Sequence, residues 1–198
     1  VEVINGGQPG YSSFQGLWLW DRSLNRYAPD VVIFGYLVQD SREVAYSDRS
    51  QAVYQHEGDF LKKNLLYHSK LYLFVRDLID RWRSEAKDTV KQSPRIPPEE
   101  YVENIRAFKK LVEDAGAKFV LFGYPLERSG YTEGHRRILH AAATELDVPI
   151  HDPQPEMEKR TASETLYFPQ DRGHANAAGN DAIAQGMAQF LVAESLVP

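Results

Sequence analysis

The chain has no cysteine. Disulfides, thiolate metal sites and cysteine nucleophiles are therefore excluded, although this does not fix the compartment. No stretch comes near the run of about 18 apolar residues that a membrane-spanning helix needs. Positive charge is not in excess either: 23 Lys and Arg stand against 28 Asp and Glu, for a net charge of −5. Nothing in that balance suggests nucleic acid or an anionic membrane surface as a partner. The six histidines are scattered without metal-ligand spacing, so no metal or cofactor is expected. Internal repeats and low-complexity tracts are also missing. So is an initiator methionine: the chain opens on Val1 and "VEVIN" drops straight into an alternating apolar pattern. Chain ends are usually solvated, so the expectation is that a further N-terminal piece precedes Val1.

A hydrophobic content of 42% over 198 residues is enough for a sizeable core, and the length suits one domain. Residues 1–5 read as a short strand, ended by "GGQPG". Residues 12–27 read as a helix. Residues 29–38, "PDVVIFGYLV", form a β-branched, aromatic-rich run without polar alternation, as in a strand buried on both faces of a parallel sheet. A helical stretch follows over 57–83, with a break near His68, and a polar, proline-containing loop over 84–98. We take about 57–97 as a helical insertion. Residues 98–117 predict a helix, with Pro98 and acids at its start, Tyr101, Ile105, Phe108 and Val112 on one face and a glycine at its stop. Residues 117–125 read as a second apolar strand, 132–147 as a helix, 148–152 as a short strand and 176–195 as the last helix, with Ala182, Ile183, Met187, Phe190 and Leu191 inward.

Alternating strands and helices predict an α/β fold: a three-layer α/β/α, flavodoxin-like open parallel sheet, lacking its first strand within these residues. In such sheets ligands sit beyond the carboxyl ends of the strands. Four polar segments fall there: "GGQPGYSS", "QDSRE", "YPLERSGY" and "HDPQ". The most specific signal comes later, in "YFPQDRGHANAAGNDAIAQ". Asp171 and His174 stand three residues apart, expected at a helix entry, where the carboxylate can reach one imidazole nitrogen. Taken alone, the pair also reads as a helix-terminal acid beside a surface histidine.

In order and spacing, "NGGQPGYSS", "PDVVIFGYLVQDS" and "DRGHANAAG" resemble the SGNH hydrolases, the GDSL-type esterases and lipases. The resemblance spans nearly the whole chain. It implies hydrolysis of an acyl ester (small molecule, lipid or acylated sugar) by a serine, with His174 as general base and acid and Asp171 orienting it. It also implies an oxyanion hole built from the serine's own N–H, the N–H of Gly10 and a side-chain amide. The family carries an Asn before an Asp at that last position, whereas this chain has Gln39 before Asp40, an amide on a stem one carbon longer. The family's nucleophile lies in a Gly-Asp-Ser turn, and no such triplet occurs here. The resemblance therefore implies a serine upstream of residue 1, with any membrane anchor also there. Ser12 and Ser13 follow the Gly10 turn, where the family uses a hydroxyl structurally. Histidine's ordinary basicity predicts activity rising through roughly pH 6–7.

Two other readings follow from the residues. Gln39 suits an acyltransferase of this fold, or a non-catalytic relative that binds acylated glycans. A flavodoxin-like binding domain would need a phosphate-cradling loop, and "GGQPG" lacks both the Walker lysine and the spaced dinucleotide fingerprint. His56, His68, His135, His140 and His151 read as surface or satisfied histidines, and Trp18, Trp20, Tyr72, Phe74 and Trp82 as core.

Overall fold

The computed structural model describes residues 1–57, 66–85, 92–128 and 130–197. Helix α1 (Ser13–Leu19) runs into a π turn (Trp20–Leu24) and a 3-10 turn (Asn25–Tyr27), then strand β1 (Val31–Phe34). Next come β2 (Glu43–Val44), α2 (Asp48–Glu57), a 3-10 turn (Leu66–His68), α3 (Lys70–Glu85) and β3 (Ser93–Pro94). The second half alternates: α4 (Pro98–Asp114), β4 (Lys118–Phe122), α5 (Glu133–Leu146), β5 (Ile150–His151) and α6 (Gln154–Thr161). A hairpin of β6 (Tyr167–Phe168) and β7 (Asp171–Ala175) then leads into α7 (Ala177–Ala193).

Strands β1, β4 and β5 form a parallel sheet in that order. Val31 to Phe34 lie opposite Lys118 to Leu121, and Leu121 and Phe122 opposite Ile150 and His151. The pleat of β4 sends side chains alternately to two layers. On one face Phe119 and Leu121 join Phe34, the α4 residues Tyr101, Ile105, Phe108 and Val112, and Leu139, Ala142 and Ala143 of α5. Phe34 meets Phe108 and Phe119 edge-on at 5.2 and 5.8 Å between ring centres. A fully buried side chain of this size stabilises by about 1.5–3 kcal/mol. On the other face Phe122 stacks on His151, and Phe190 of α7 closes over that imidazole at 5.2 Å. Helices thus cover both faces, and the expected three-layer α/β/α arrangement is present.

Four local expectations need correction. Residues 1–5 form no strand, and Val1 and Val3 are exposed; an alternating pattern makes a strand only where another strand receives its hydrogen bonds, and among the described residues none does. β1 is shorter than its apolar run and is an outermost strand among the described residues, and Ile33 is half exposed within them. The stretch 84–98 is not simply a solvated loop: β3 pairs antiparallel with β2, and Ile96 is fully buried. Of the aromatic residues expected in the core, Trp20 is there, whereas Trp18 and Phe74 are exposed. The anticipated break near His68 is present as the 3-10 turn. Residues 58–65 and 86–91 of the anticipated insertion lie outside the described residues, as do the side chains of His56 and Trp82. No described helix is long and apolar enough to cross a membrane.

Candidate active site

Asp171 and His174 meet as their spacing suggests, just ahead of the entry to α7, whose N-cap is Asn176. They lie on β7, whose pairing with β6 is irregular: Phe168 faces Asp171 while Tyr167 faces Ala175. One step along β6 therefore spans four along β7, and residues 172–174 bulge out of the ladder. The bulge brings the two side chains to the same side. His174 Nδ1 lies 2.6 Å from Asp171 Oδ2, and the Gly173 N–H donates to the other carboxylate oxygen, Oδ1, at 3.1 Å. The histidine contact first, and the Gly173 N–H second, hold the Asp171 carboxyl below its usual range. With Nδ1 committed to Asp171, Nε2 is the nitrogen left for proton transfer. Both side chains are mostly solvent exposed.

The residues after His174 fix the bulge in place. Asn176 caps α7: its side-chain oxygen accepts from the Gly179 N–H at 3.0 Å, and its amide donates to the Thr165 carbonyl at 2.7 Å. Gly179 packs so tightly that an added Cβ would lie 2.1 Å from the Leu166 carbonyl oxygen, which is backbone. That same carbonyl accepts from the Asn176 N–H at 2.9 Å. The spacing His-x-Asn-x-x-Gly thus docks a helix start against the residues leading into β6, the partner of the strand that carries the histidine. Gly179→Ala is expected to push α7 off Leu166, destabilising the fold by about 1–3 kcal/mol, the usual range for overpacking. Urea unfolding measures it, and an unchanged midpoint would show that the contact relaxes without cost.

Gly10 occupies a type II turn. Pro9 takes the first central position, Gly10 the second with φ +77°, and the Tyr11 N–H bonds the Gln8 carbonyl at 3.2 Å. Only glycine adopts that φ at no steric cost. The turn's own bond uses the Tyr11 N–H, which leaves the Gly10 N–H for another acceptor. Gln39 lies in the turn after β1, pinned by the Ser41 N–H to the Leu37 carbonyl and the Arg42 N–H to the Gln39 carbonyl. The two turns are fastened to each other below the surface. Asp40, fully buried, accepts from the Ser13 N–H and from the Ser13 hydroxyl. Asn104 of α4 donates to the same hydroxyl at 2.9 Å. Ser12, equally buried, caps α1 and donates its hydroxyl to Asp48. Neither serine is accessible, and both act as structural hydroxyls.

Asp40 is an unusual acid. Burial first pushes its pKa up from 3.8 to about 6, against the Ser13 hydrogen bonds and the Arg95 charge, which lower it. The folded state therefore binds more protons than the unfolded state between about pH 4 and 6. Stability falls as pH rises through that window, and the full cost, roughly 3 kcal/mol for about two pKa units, remains above it. Asp40→Asn is expected to remove this slope. Urea unfolding of both proteins at pH 4.5 and 7 checks it, and parallel slopes would mean that Asp40 ionises alike in both states.

Described hydrogen bonds link the Gly10 and Gln39 turns, while those of Asp171 and His174 stay within β7. A cleft of about 530 Å³ begins at Tyr11 and is lined by Gln15, Trp18, Arg42, Gln51 and Arg95, among others. Arg22 lies over the Trp18 ring at 4.7 Å. Among the other histidines, His135 is buried and bonded to the Ile96 carbonyl, and His140 bonds Asp152, which Arg136 also holds. Among the described residues no three His, Asp or Glu side chains are grouped to hold a metal ion. Composition had hidden Arg95, Asp48 and Asn104. The visible hint was "SPRIPP", an isoleucine too apolar for a solvated loop.

No protein-family model and no curated protein matches the sequence. Solved structures do. Axe2, an acetylxylan esterase from Geobacillus stearothermophilus, aligns with a TM-score of 0.56 at 13% identity, over 92% of this chain and 68% of its own. A mutant of it, described as an acetyl-xylooligosaccharide esterase, gives 0.59 at the same identity and coverage. LAE5, an alpha/beta hydrolase from the metagenome of Lake Arreo, gives 0.58 at 14% identity, over 96% of this chain and 70% of its own. At such identities the likeness speaks for architecture, and it agrees with the layer order above: the chain has an SGNH hydrolase-like fold.

Proposed function

We propose that this chain carries the acid–base half of a serine-type ester hydrolase acting on acylated polar alcohols, acylated sugars among them. The observation that carries the proposal is the Asp171–His174 contact on a bulge anchored by Asn176 and Gly179. His174 Nε2 takes the proton of the attacking hydroxyl and returns it to the leaving alcohol, while Asp171 holds the tautomer and stabilises the imidazolium. Gly10 N–H and the Gln39 amide donate to the oxyanion. In this reading the nucleophile is a serine outside these 198 residues, as the resemblance to the SGNH hydrolases implies, and the hydroxyls of Ser12 and Ser13 are committed to Asp48 and Asp40. Two further points favour the substrate class. The solved structures of this fold include esterases for acetylated xylan and xylo-oligosaccharides. The cleft at Tyr11 combines aromatic faces with arginine and glutamine side chains, a lining better suited to a hydroxylated ring than to a long acyl chain.

The test is fluorophosphonate labelling of protein expressed from the whole gene, with the adduct mapped by mass. The expected result is one adduct, on a serine outside these 198 residues, with turnover of acetylated sugars. An adduct on Ser12 or Ser13, or no adduct at all, would overturn the proposal.

A further inference from the structure

Arg95 follows β3 at the far end of the insertion. Its side chain is 17% exposed, and each of its nitrogens has a different acceptor. Nε donates to Asp48 Oδ1 at 2.7 Å, Nη1 to the Gly10 carbonyl at 2.6 Å and Nη2 to Gln15 Oε1 at 2.9 Å. Its main chain is engaged elsewhere. The Arg95 N–H donates to the Arg42 carbonyl at 2.7 Å, and the next N–H, of Ile96, donates to the Asp40 carbonyl at 3.1 Å. The Arg95 carbonyl accepts from the Asp48 N–H at 3.3 Å. Arg42 in turn closes the Gln39 turn. The backbone of one residue therefore grips the segment carrying Gln39, while its guanidinium grips the turn carrying Gly10.

We infer that Arg95 is a positioning residue: it sets the distance between the Gly10 N–H and the Gln39 amide. This rests on the ester-hydrolase reading above. The physical need is plain. A glycine with positive φ has wide conformational freedom, and its turn has one internal bond. Fixing the Gly10 carbonyl fixes the rotation of the peptide that follows it and limits the drift of the one before. A planar guanidinium spreads its donors over three nitrogens in a rigid fork, whereas the three donors of a lysine ammonium radiate from one nitrogen and do not match the same three acceptors. Ser12 and Gln15 complete the brace, since the Ser12 N–H also donates to Gln15 Oε1 at 3.2 Å. The reaction itself is unchanged by this role. Arg95 forms and breaks no bond and acts on rate through the two donors.

Removing Arg95 alone strands the buried Asp48 carboxylate. The test therefore places Arg95→Met on an Asp48→Asn background and compares it with Asp48→Asn alone, both in protein from the whole gene. Donor displacement of about 1 Å costs up to two orders of magnitude in rate. The expected result is a 10- to 100-fold lower kcat, as that rule implies, with KM changed less than about threefold, because ground-state binding is not what is lost. Amide hydrogen exchange at Tyr11, whose N–H closes the turn on the Gln8 carbonyl, should accelerate. Arg95→Lys on the same background should recover only part of the loss. Unchanged kcat with raised KM would make Arg95 a substrate-binding residue, and the proposal would fall. Unchanged exchange at Tyr11, whose N–H closes the turn, would equally overturn it, whatever the kinetics. Should the wild type hydrolyse no ester, the hydrolase reading fails by itself, and exchange alone decides whether Arg95 braces the turn.

Discussion

His174→Ala in protein from the whole gene is expected to abolish ester hydrolysis, lowering kcat by at least about 10⁴-fold, while unfolding midpoints stay put. The separation of the two effects follows from exposure. The imidazole side chain is 73% exposed and among the described residues bonds to Asp171, itself 57% exposed, and surface substitutions of this kind usually shift stability by less than about 0.5 kcal/mol. The helix that anchors the bulge is held by Asn176 and Gly179, not by the imidazole. Asp171→Asn should cost slightly less, since the ring and the bulge remain but the preferred tautomer is lost. Turnover retained in His174→Ala would remove this residue from the chemistry and leave the pair as a surface contact.

The second large effect is expected at Gln39. Gln39→Ala should lower kcat about 10²–10³-fold with KM nearly unchanged, the pattern of a donor that serves the transition state more than the bound substrate. Gln39→Asn is the sharper comparison. The bonds from Ser41 to Leu37 and from Arg42 to Gln39 leave the backbone little room to advance. An amide one carbon shorter should therefore miss the oxyanion, and Asn should restore only a minor part of the activity. Steady-state kinetics on the three proteins decides the matter. Equal kcat in wild type and Gln39→Ala would exclude the donor role, and a fully active Asn variant would show that the turn is softer than its hydrogen bonds suggest.

Much of the frame was legible in the sequence because its signals are local. Pro98, Glu99 and Glu100 open α4, Gly116 follows its end, and the apolar stripe from Tyr101 to Val112 sets its buried face. The Asp-x-x-His and Asn-x-x-Gly spacings marked the pair and its anchor for the same reason. What composition could not supply was pairing. "VEVIN" has the alternation of a strand, but alternation does not name a partner. The β-branched run at β1 looks buried on both faces, yet its place as an outermost strand among the described residues is decided by strand order. The β7 bulge has no period, so the place of the pair ahead of the last helix was legible but the strand that carries it was not. Arg95 was hidden because a charged residue among prolines reads as solvated until the chain folds back and brings Asp48, Gln15 and Gly10 around it.

Among the described residues β1 is an outermost strand, which bears on how these 198 residues behave when expressed alone. Val31–Phe34 is short, apolar and free of charge and proline, and one side of its backbone ladder meets no strand among the described residues. Natural proteins blunt such edges with lysine, proline or a covering loop, because a bare one templates pairing with another chain. Expressed alone, these 198 residues should thus be prone at high concentration to edge-to-edge self-association, and Ile33→Lys should reduce it.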